Sequence, residues 1–360
     1  MNLIKVALAG FALIFAVSCA YTPAIKGPGG ELLERSITSL DRVRLGGVDQ
    51  WILIRGEDIT KPLLLFLHGG PGSAEMPLIT RFNPALEKHF VVIMWDQRGA
   101  GKSYSSKIPK ESMNIEQFIS DCRELTSLLK ERFGREKIYL LGHSWGSVLG
   151  MYAISRYPED YYAYVGIGQF VRGDSNEHAS WRFCHDEAIR RGDKKAVKEL
   201  ESVGPPEAGI YKTDIVNGKP AFKGIQTERK WLTKYGAWWF GKTDYSMIVK
   251  VLLTTKEYTF GESLNYLRGS VFSMKNMWQE LLEVKLDSEI TSVKVPVYFC
   301  VGRHDYNTPG SVSYPYFEKL EAPQKEYVWF ERSAHSPCFE EPEAFTNFMI
   351  AKVLPETYPK

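Results

Sequence analysis

Closely spaced metal ligands are missing from this sequence. Its five cysteines are Cys19, Cys122, Cys184, Cys300 and Cys338. The last four are far apart and show no CxxC or zinc-like spacing, which argues against a disulfide framework and against a structural zinc site. His178 and His185 fit one helix face, but no third ligand lies near them, so they read as solvated histidines rather than zinc ligands. Charge of one sign is also scarce. The formal net charge is +2 over 360 residues, without the basic bias of a nucleic-acid binder. The densest basic stretch, IRRGDKKAVKEL (189–200), carries acids as well and reads as a solvated helix face. GAGKS (99–103) lacks the first glycine of a phosphate-binding loop, since Asp96 stands there, so no nucleotide site is expected. There is no internal repeat and no low-complexity tract. The N-terminal apolar run, Val6 to Val17, falls short of the ~20 residues that span a bilayer.

That run has a different use. In MNLIKVALAGFALIFAVSCA (1–20) it follows a single early cation, Lys5, which is the layout of an export signal. Two processing routes fit. AVSC has the form of a bacterial lipobox, with Cys19 as the acylated first residue of the mature chain, and this is the favoured reading. Ser18, Cys19 and Ala20 also supply small residues for ordinary cleavage after Ala20. The expectation is an exported protein, anchored to the cell envelope through lipid on Cys19 or else secreted.

With 44% apolar and 13% aromatic residues the chain can bury a sizeable core. VDQWILIR (48–55) reads as a strand. KPLLLFLHGG (61–70), FVVIMWDQRG (90–99) and KIYLLG (137–142) are apolar runs of the kind that strands buried on both faces show. SMNIEQFISDCRELTSLLKERFG (112–134) and SVLGMYAISRYPE (147–159) read as helices, and YAYVGIG (162–168) as another strand. Such alternation predicts an α/β fold, a mostly parallel sheet with helices on both faces. It stops after Gly168 and resumes with VKVPVYFCVG (293–302) and EYVWFE (326–331). The predicted organisation is a signal over 1–20, a core in two parts (35–171 and 289–356), and a helical cap inserted over 172–288. The cap holds Trp181, Trp231, Trp238, Trp239 and Trp278.

GHSWGS (142–147) falls between the strand KIYLL and the helix after it, which puts Ser144 on a tight strand-to-helix turn. A serine hydroxyl needs a base and an acid that orients that base. Both follow at strand ends in the expected order, Asp305 after VPVYFCVG and His335 after EYVWFE. An acyl-transfer site also needs N–H donors for the oxyanion. Trp145, next after the serine, supplies one; HGGPG (68–72) supplies the other, with Gly70 preferred and Gly69 second. His68 is expected to brace that loop, Glu340 and Glu341 to be solvated, and His143 to point away from the chemistry.

LHGGPG, WDQRGAGKS, GHSWGS, GRHDYNTP and SAHSPCFEEPEAF together resemble the α/β-hydrolase superfamily, specifically its prolyl aminopeptidase-like branch, over about residues 40–355 outside the insertion. The resemblance implies the same triad and oxyanion donors, no cofactor and no metal. It also implies that DQRGAGKS is structural, with Asp96 and Arg98 satisfying nearby backbone or each other. The chain departs from the branch at His143, where glycine is usual, and lacks an arginine-rich lead into the cap.

The expected activity is that of a serine hydrolase acting through an acyl-enzyme, foremost an aminopeptidase of the proline type on small or short-peptide substrates. A carboxylesterase is the alternative, and a non-catalytic binding protein on a hydrolase scaffold is the rival from another class. The cap is expected to roof Ser144 with tryptophans around a small apolar pocket. An aminopeptidase must also hold an ammonium, for which Asp174, Glu177, Asp186 and Glu187 are the available acids.

Overall fold

Each of these apolar runs is a strand of one sheet in the computed structural model, which describes residues 19–216 and 219–359. Apart from Cys19 and Ala20, the expected export signal lies outside the described residues. The strands are β1 (Ile37–Leu45), β2 (Val48–Gly56), β3 (Leu63–Leu67), β4 (Val91–Asp96), β5 (Ile138–His143), β6 (Tyr161–Ile167), β9 (Val297–Gly302) and β10 (Lys325–Phe330); β7 (Ile215–Val216) and β8 (Lys219–Pro220) form a separate small hairpin. Sheet order is β1-β2-β4-β3-β5-β6-β9-β10. The β1–β2 and β2–β4 pairs are antiparallel, and every pairing from β4 to β10 is parallel.

The strand β3 shows why the runs do not alternate. Leu63, Leu65 and Leu67 pack with Leu125 and Leu149 on one side of the sheet, while Leu64 and Phe66 pack with Ile79 and Phe339 on the other. Both faces are covered by helices, so neither tolerates a polar residue. These helices include α1 (Met76–Phe82), α2 (Ile115–Phe133) and α3 (Trp145–Arg156). The helix expected over 112–134 begins at Ile115 because Asn114 caps it, its side chain accepting the Gln117 N–H at 2.9 Å. It ends where Gly134 turns left-handed, at φ 60°.

Between β6 and β9 the chain leaves the sheet and builds a helical cap. Its helices are α4 (Gly173–Arg191), α5 (Lys194–Val203), α6 (Lys223–Lys234), α7 (Ser246–Thr254) and α8 (Phe260–Glu283). The two crossings are pinned side by side. Gly173 N–H donates to Val284 O at 3.3 Å, and Leu286 N–H donates to Val171 O at 3.0 Å. The cap has a core of its own, including Cys184, Leu200, Trp231 and Leu232. Further polar ties fix it to the sheet: Tyr258 Oη donates to Asp96 Oδ2 at 2.6 Å, and Lys102 Nζ pairs with Glu262 Oε1 at 2.7 Å.

Candidate active site

Ser144 stands directly after β5, with φ 54° and ψ −116°. A non-glycine residue at positive φ is strained and persists only where its surroundings hold it. The neighbouring glycines supply the hold, through close approach. A Cβ on Gly146 would lie 2.1 Å from Leu67 O, and one on Gly142 would lie 2.4 Å from Gly146 O. The elbow therefore rests on the end of β3, and any side chain at either glycine would push it off. The Ser144 N–H is fixed by Ile167 O of β6 at 2.9 Å.

The fold brings His335 and Asp305 together. The His335 Nδ1–H donates to Asp305 Oδ2 at 3.0 Å, and both residues are buried. Asp305 is held in turn by the N–H groups of Asn307 and Thr308, which donate to Oδ1 at 2.8 and 2.9 Å. Thr308 Oγ1 lies 2.8 Å from Oδ2. At the far side of the imidazole, Asn307 Nδ2 contacts His335 Nε2 at 2.9 Å. Among the described residues no hydrogen bond joins Ser144 Oγ to His335, so in this state Asn307 holds the nitrogen that a nucleophilic serine would use.

Gly70 and Trp145 line the same cavity as Ser144. Among the described residues neither backbone N–H has a hydrogen-bond acceptor. Gly69 differs: its N–H donates to Glu75 Oε2 at 3.2 Å. The loop leaves Gly70, not Gly69, with a free donor. Gly70 has φ 118°, and a Cβ there would lie 2.5 Å from Gly72 N. His68 braces this loop as expected. Its Nδ1–H donates to Gly69 O at 2.8 Å, and its Nε2 accepts the Gln97 N–H at 3.1 Å. Burial lowers the His68 pKa to about 4, in keeping with a neutral ring. Gln97 joins the two halves of the site, since its side chain also accepts from Trp145 Nε1 at 2.9 Å.

Several expectations need correction. His143 does not point away: its ring centroid is 5.0 Å from that of His335, its Nε2 is 3.1 Å from His335 O, and its Nδ1 meets Glu75 Oε1 at 2.7 Å. Burial disfavours the imidazolium, but the Glu75 carboxylate more than offsets that and raises the His143 pKa. Glu75 therefore ties the Gly69 loop to the elbow, a role no motif announces. Glu340 and Glu341 are half-buried and hydrogen-bonded rather than free surface charges. Glu340 accepts the N–H groups of Ala334, Ser336 and Phe240 at 3.0, 2.7 and 2.6 Å, clamping the His335 loop, and burial raises its pKa to about 7. Glu341 accepts from Ser333 Oγ at 2.6 Å. Asp96 and Arg98 do satisfy backbone as expected, Asp96 Oδ2 accepting the Lys102 N–H at 2.8 Å and Arg98 Nη2 donating to Leu45 O and Gly46 O, but they do not meet each other, and Arg98 pairs with Asp121 of α2. Asn307 and Thr308 lie within GRHDYNTP, where only Asp305 is assigned a role from sequence.

The cap covers Ser144 with a cavity of about 550 Å³. Trp238 and Trp278 line it, but Trp181 and Trp231 belong to the cap's own packing. Half of the wall comes from α7 and α8, with aliphatic side chains such as Ile248, Leu252, Leu264 and Leu281 beside aromatic ones, so it is not the small tryptophan box expected. Of the four candidate acids, Glu177 alone lines it. Asp174 is bound to Arg172 at 2.9 Å, Glu187 to Arg190 at 2.6 Å, and Asp186 is exposed. Glu177 Oε1 accepts from Arg229, which also reaches Glu228. Glu177 Oε2 is buried and has no hydrogen-bond partner. Burial raises the Glu177 pKa to about 7, with Arg229 opposing the rise.

A family model described as the alpha/beta hydrolase fold matches residues 62–191. A curated relative, the probable aminopeptidase YbaC of Bacillus subtilis, is 34% identical over 316 residues, covering 87% of this chain and 96% of the relative. A proline iminopeptidase of Heyndrickxia coagulans is 22% identical, covering 78% and 87%. Among solved structures, the proline iminopeptidase of Mycobacterium smegmatis has a TM-score of 0.60 at 18% identity, covering 89% of this chain and 98% of that one. The chain belongs to the α/β-hydrolase family and is a hydrolase. Within that family its relatives put it on the proline-iminopeptidase-like branch.

Proposed function

We propose that the protein is a serine aminopeptidase that releases the N-terminal residue of short peptides, of the proline type, with Ser144, His335 and Asp305 as its triad. The observation that carries this reading is Glu177 Oε2, an unpartnered carboxylate oxygen buried in the wall of the Ser144 cavity. Arg229 serves the other oxygen only, a buried polar atom is costly without a hydrogen bond, and a substrate ammonium is the donor that an aminopeptidase brings.

The substrate's first carbonyl carbon faces Ser144 Oγ. His335 Nε2 gives up its contact with Asn307 and takes the hydroxyl proton as the C–O bond forms. Gly70 and Trp145 N–H groups stabilise the oxyanion. His335 then returns the proton to the leaving nitrogen, and the C–N bond breaks. A water molecule, deprotonated by the same imidazole, hydrolyses the acyl-enzyme. Asp305 keeps the Nδ1–H tautomer throughout.

A second reading has its own support. The aliphatic wall extends well beyond what one proline ring fills, which favours an acyl ester. Location is proposed on sequence grounds: export with Cys19 acylated, or secretion. The deciding experiment pairs a fluorophosphonate probe with a substrate panel. The expected result is covalent labelling at Ser144, lost in Ser144→Ala, and hydrolysis of aminoacyl arylamides. Labelling that survives Ser144→Ala defeats the nucleophile assignment. Ready hydrolysis of p-nitrophenyl esters with no arylamide turnover selects the esterase.

A further inference from the structure

The outer faces of α7 and α8 group several exposed aliphatic side chains together. Val249, Leu253, Leu264, Leu267 and Val271 are between 41% and 64% exposed. Their spacing of four on α7, and of three then four on α8, puts each set on one helix face. The first four also line the Ser144 cavity, so the cavity opens through this face. Exposed aliphatic side chains grouped in this way mark an interaction surface.

The surrounding charge selects the partner. Within residues 241–275 the exposed cations are Lys242, Lys250, Lys256, Arg268 and Lys275, and the exposed acid is Asp244. Glu257 is buried there, and Glu262 is already paired with Lys102. A protein partner with an apolar patch would not need such a basic rim; a surface of anionic headgroups over acyl chains matches both features. The chain's own N-terminal part points the same way. Tyr21 N–H donates to Lys256 O at 2.9 Å, in the α7–α8 connection, so the chain enters the described structure at the edge of this patch. The apolar run Val6–Val17 and Cys19 precede that point. Among the described residues no helix is long and apolar enough to cross a membrane.

We infer that the α7–α8 face docks on an anionic lipid bilayer and turns the mouth of the Ser144 cavity toward it. Lys250, Lys256 and Arg268 meet the headgroups, and Leu253 and Leu267 enter the acyl boundary. The inference stands apart from the bond that Ser144 attacks, and loss of probe labelling would leave it intact.

The test uses the full chain carrying Cys19→Ser and Leu267→Cys, in which the four remaining native cysteines are buried. A nitroxide on residue 267 reports immersion through its relative access to oxygen and to a water-soluble nickel complex. On vesicles of phosphatidylglycerol and phosphatidylcholine the label is expected to become accessible to oxygen and shielded from nickel. Pure phosphatidylcholine should give a much smaller change. Lys250→Glu/Lys256→Glu/Arg268→Glu, with its fold checked by circular dichroism, should return the label to water. The inference is overturned if the label stays in water on vesicles that carry the protein, or if the protein binds no anionic vesicle. It is equally overturned if the label is immobilised without lipid while sedimentation reports a dimer, since the face would then join two copies of the chain.

Discussion

Glu177 is a carboxylate kept out of water beside a guanidinium that two glutamates share. With Glu228 also on Arg229, the cluster carries one uncompensated negative charge when both acids are ionised. A substrate ammonium restores neutrality. Glu177→Gln should therefore raise KM for a free-amine arylamide by about 10- to 100-fold, the scale of one hydrogen bond between charged groups, while an N-acetylated analogue changes little. The pH dependence follows from the raised pKa of about 7. Below pH 7 the carboxyl is protonated and loses its hold on the ammonium, so KM for the free amine should rise as pH falls through that value. Initial rates across pH 5.5–8.5 check this, and a flat profile in Glu177→Gln is the control. The sequence offered four acids for the proposed ammonium site and could go no further. The buried face of α4 includes Asn176, Glu177 and Ser180, so hydrophobic period does not reveal which side of the helix turns inward. The proposed triad could be put forward from sequence because each member follows a recognisable apolar strand and the three come in a fixed chain order. Glu75, Glu340 and Asn307 were not, because their partners come from other segments.

At the scale of elements, Arg98 joins pieces that sequence reads separately. It is fully buried after β4, and its Nε and Nη2 donate to Asp121 of α2 at 2.9 and 3.0 Å. The same Nη2 reaches Leu45 O and Gly46 O in the β1–β2 turn at 3.2 and 2.9 Å. Removing one member of such a pair strands the other charge out of water. Arg98→Met should cost ~3–5 kcal/mol in urea unfolding, and Arg98→Met/Asp121→Leu should recover much of that. A double variant as unstable as the single would show that the backbone contacts matter more than the charge pair. Within the eight-stranded sheet, β1 is the strand that sequence reading omitted. ITSLDRVRL lies at the sheet edge, and of its nine residues Leu45 alone is buried, so it carries no apolar run. The strands inside the sheet were legible for the opposite reason, since both of their faces demand apolar residues.

Across the whole molecule, three buried carboxyls, Asp96, Glu177 and Glu340, each have a pKa raised to about 7 by burial. The folded chain holds these protons where the unfolded chain has released them. Stability therefore falls as pH rises from about 5 to 7, and His143, also raised, adds to the fall. His68, lowered to about 4, works in the opposite direction. With more groups on the first side, urea midpoints should decline between pH 5 and 7, and Asp96→Asn should flatten the slope. Midpoints that climb over that interval would contradict the burial of these groups.

The two adjacent crossings at Val171–Gly173 and Val284–Leu286 have a consequence for descent. A loop whose ends already hydrogen-bond to each other can be lengthened, shortened or exchanged without re-threading the sheet. The proposed nucleophile, acid and base, Ser144, Asp305 and His335, all lie outside it, in the turn after β5 and in the loops after β9 and β10. The cap is thus a cassette on a fixed reaction centre: gene segments coding for it can diverge or be traded among relatives while the bond-breaking machinery is inherited unchanged. Selection can retune what this chain accepts, and on what surface it works, one cassette at a time.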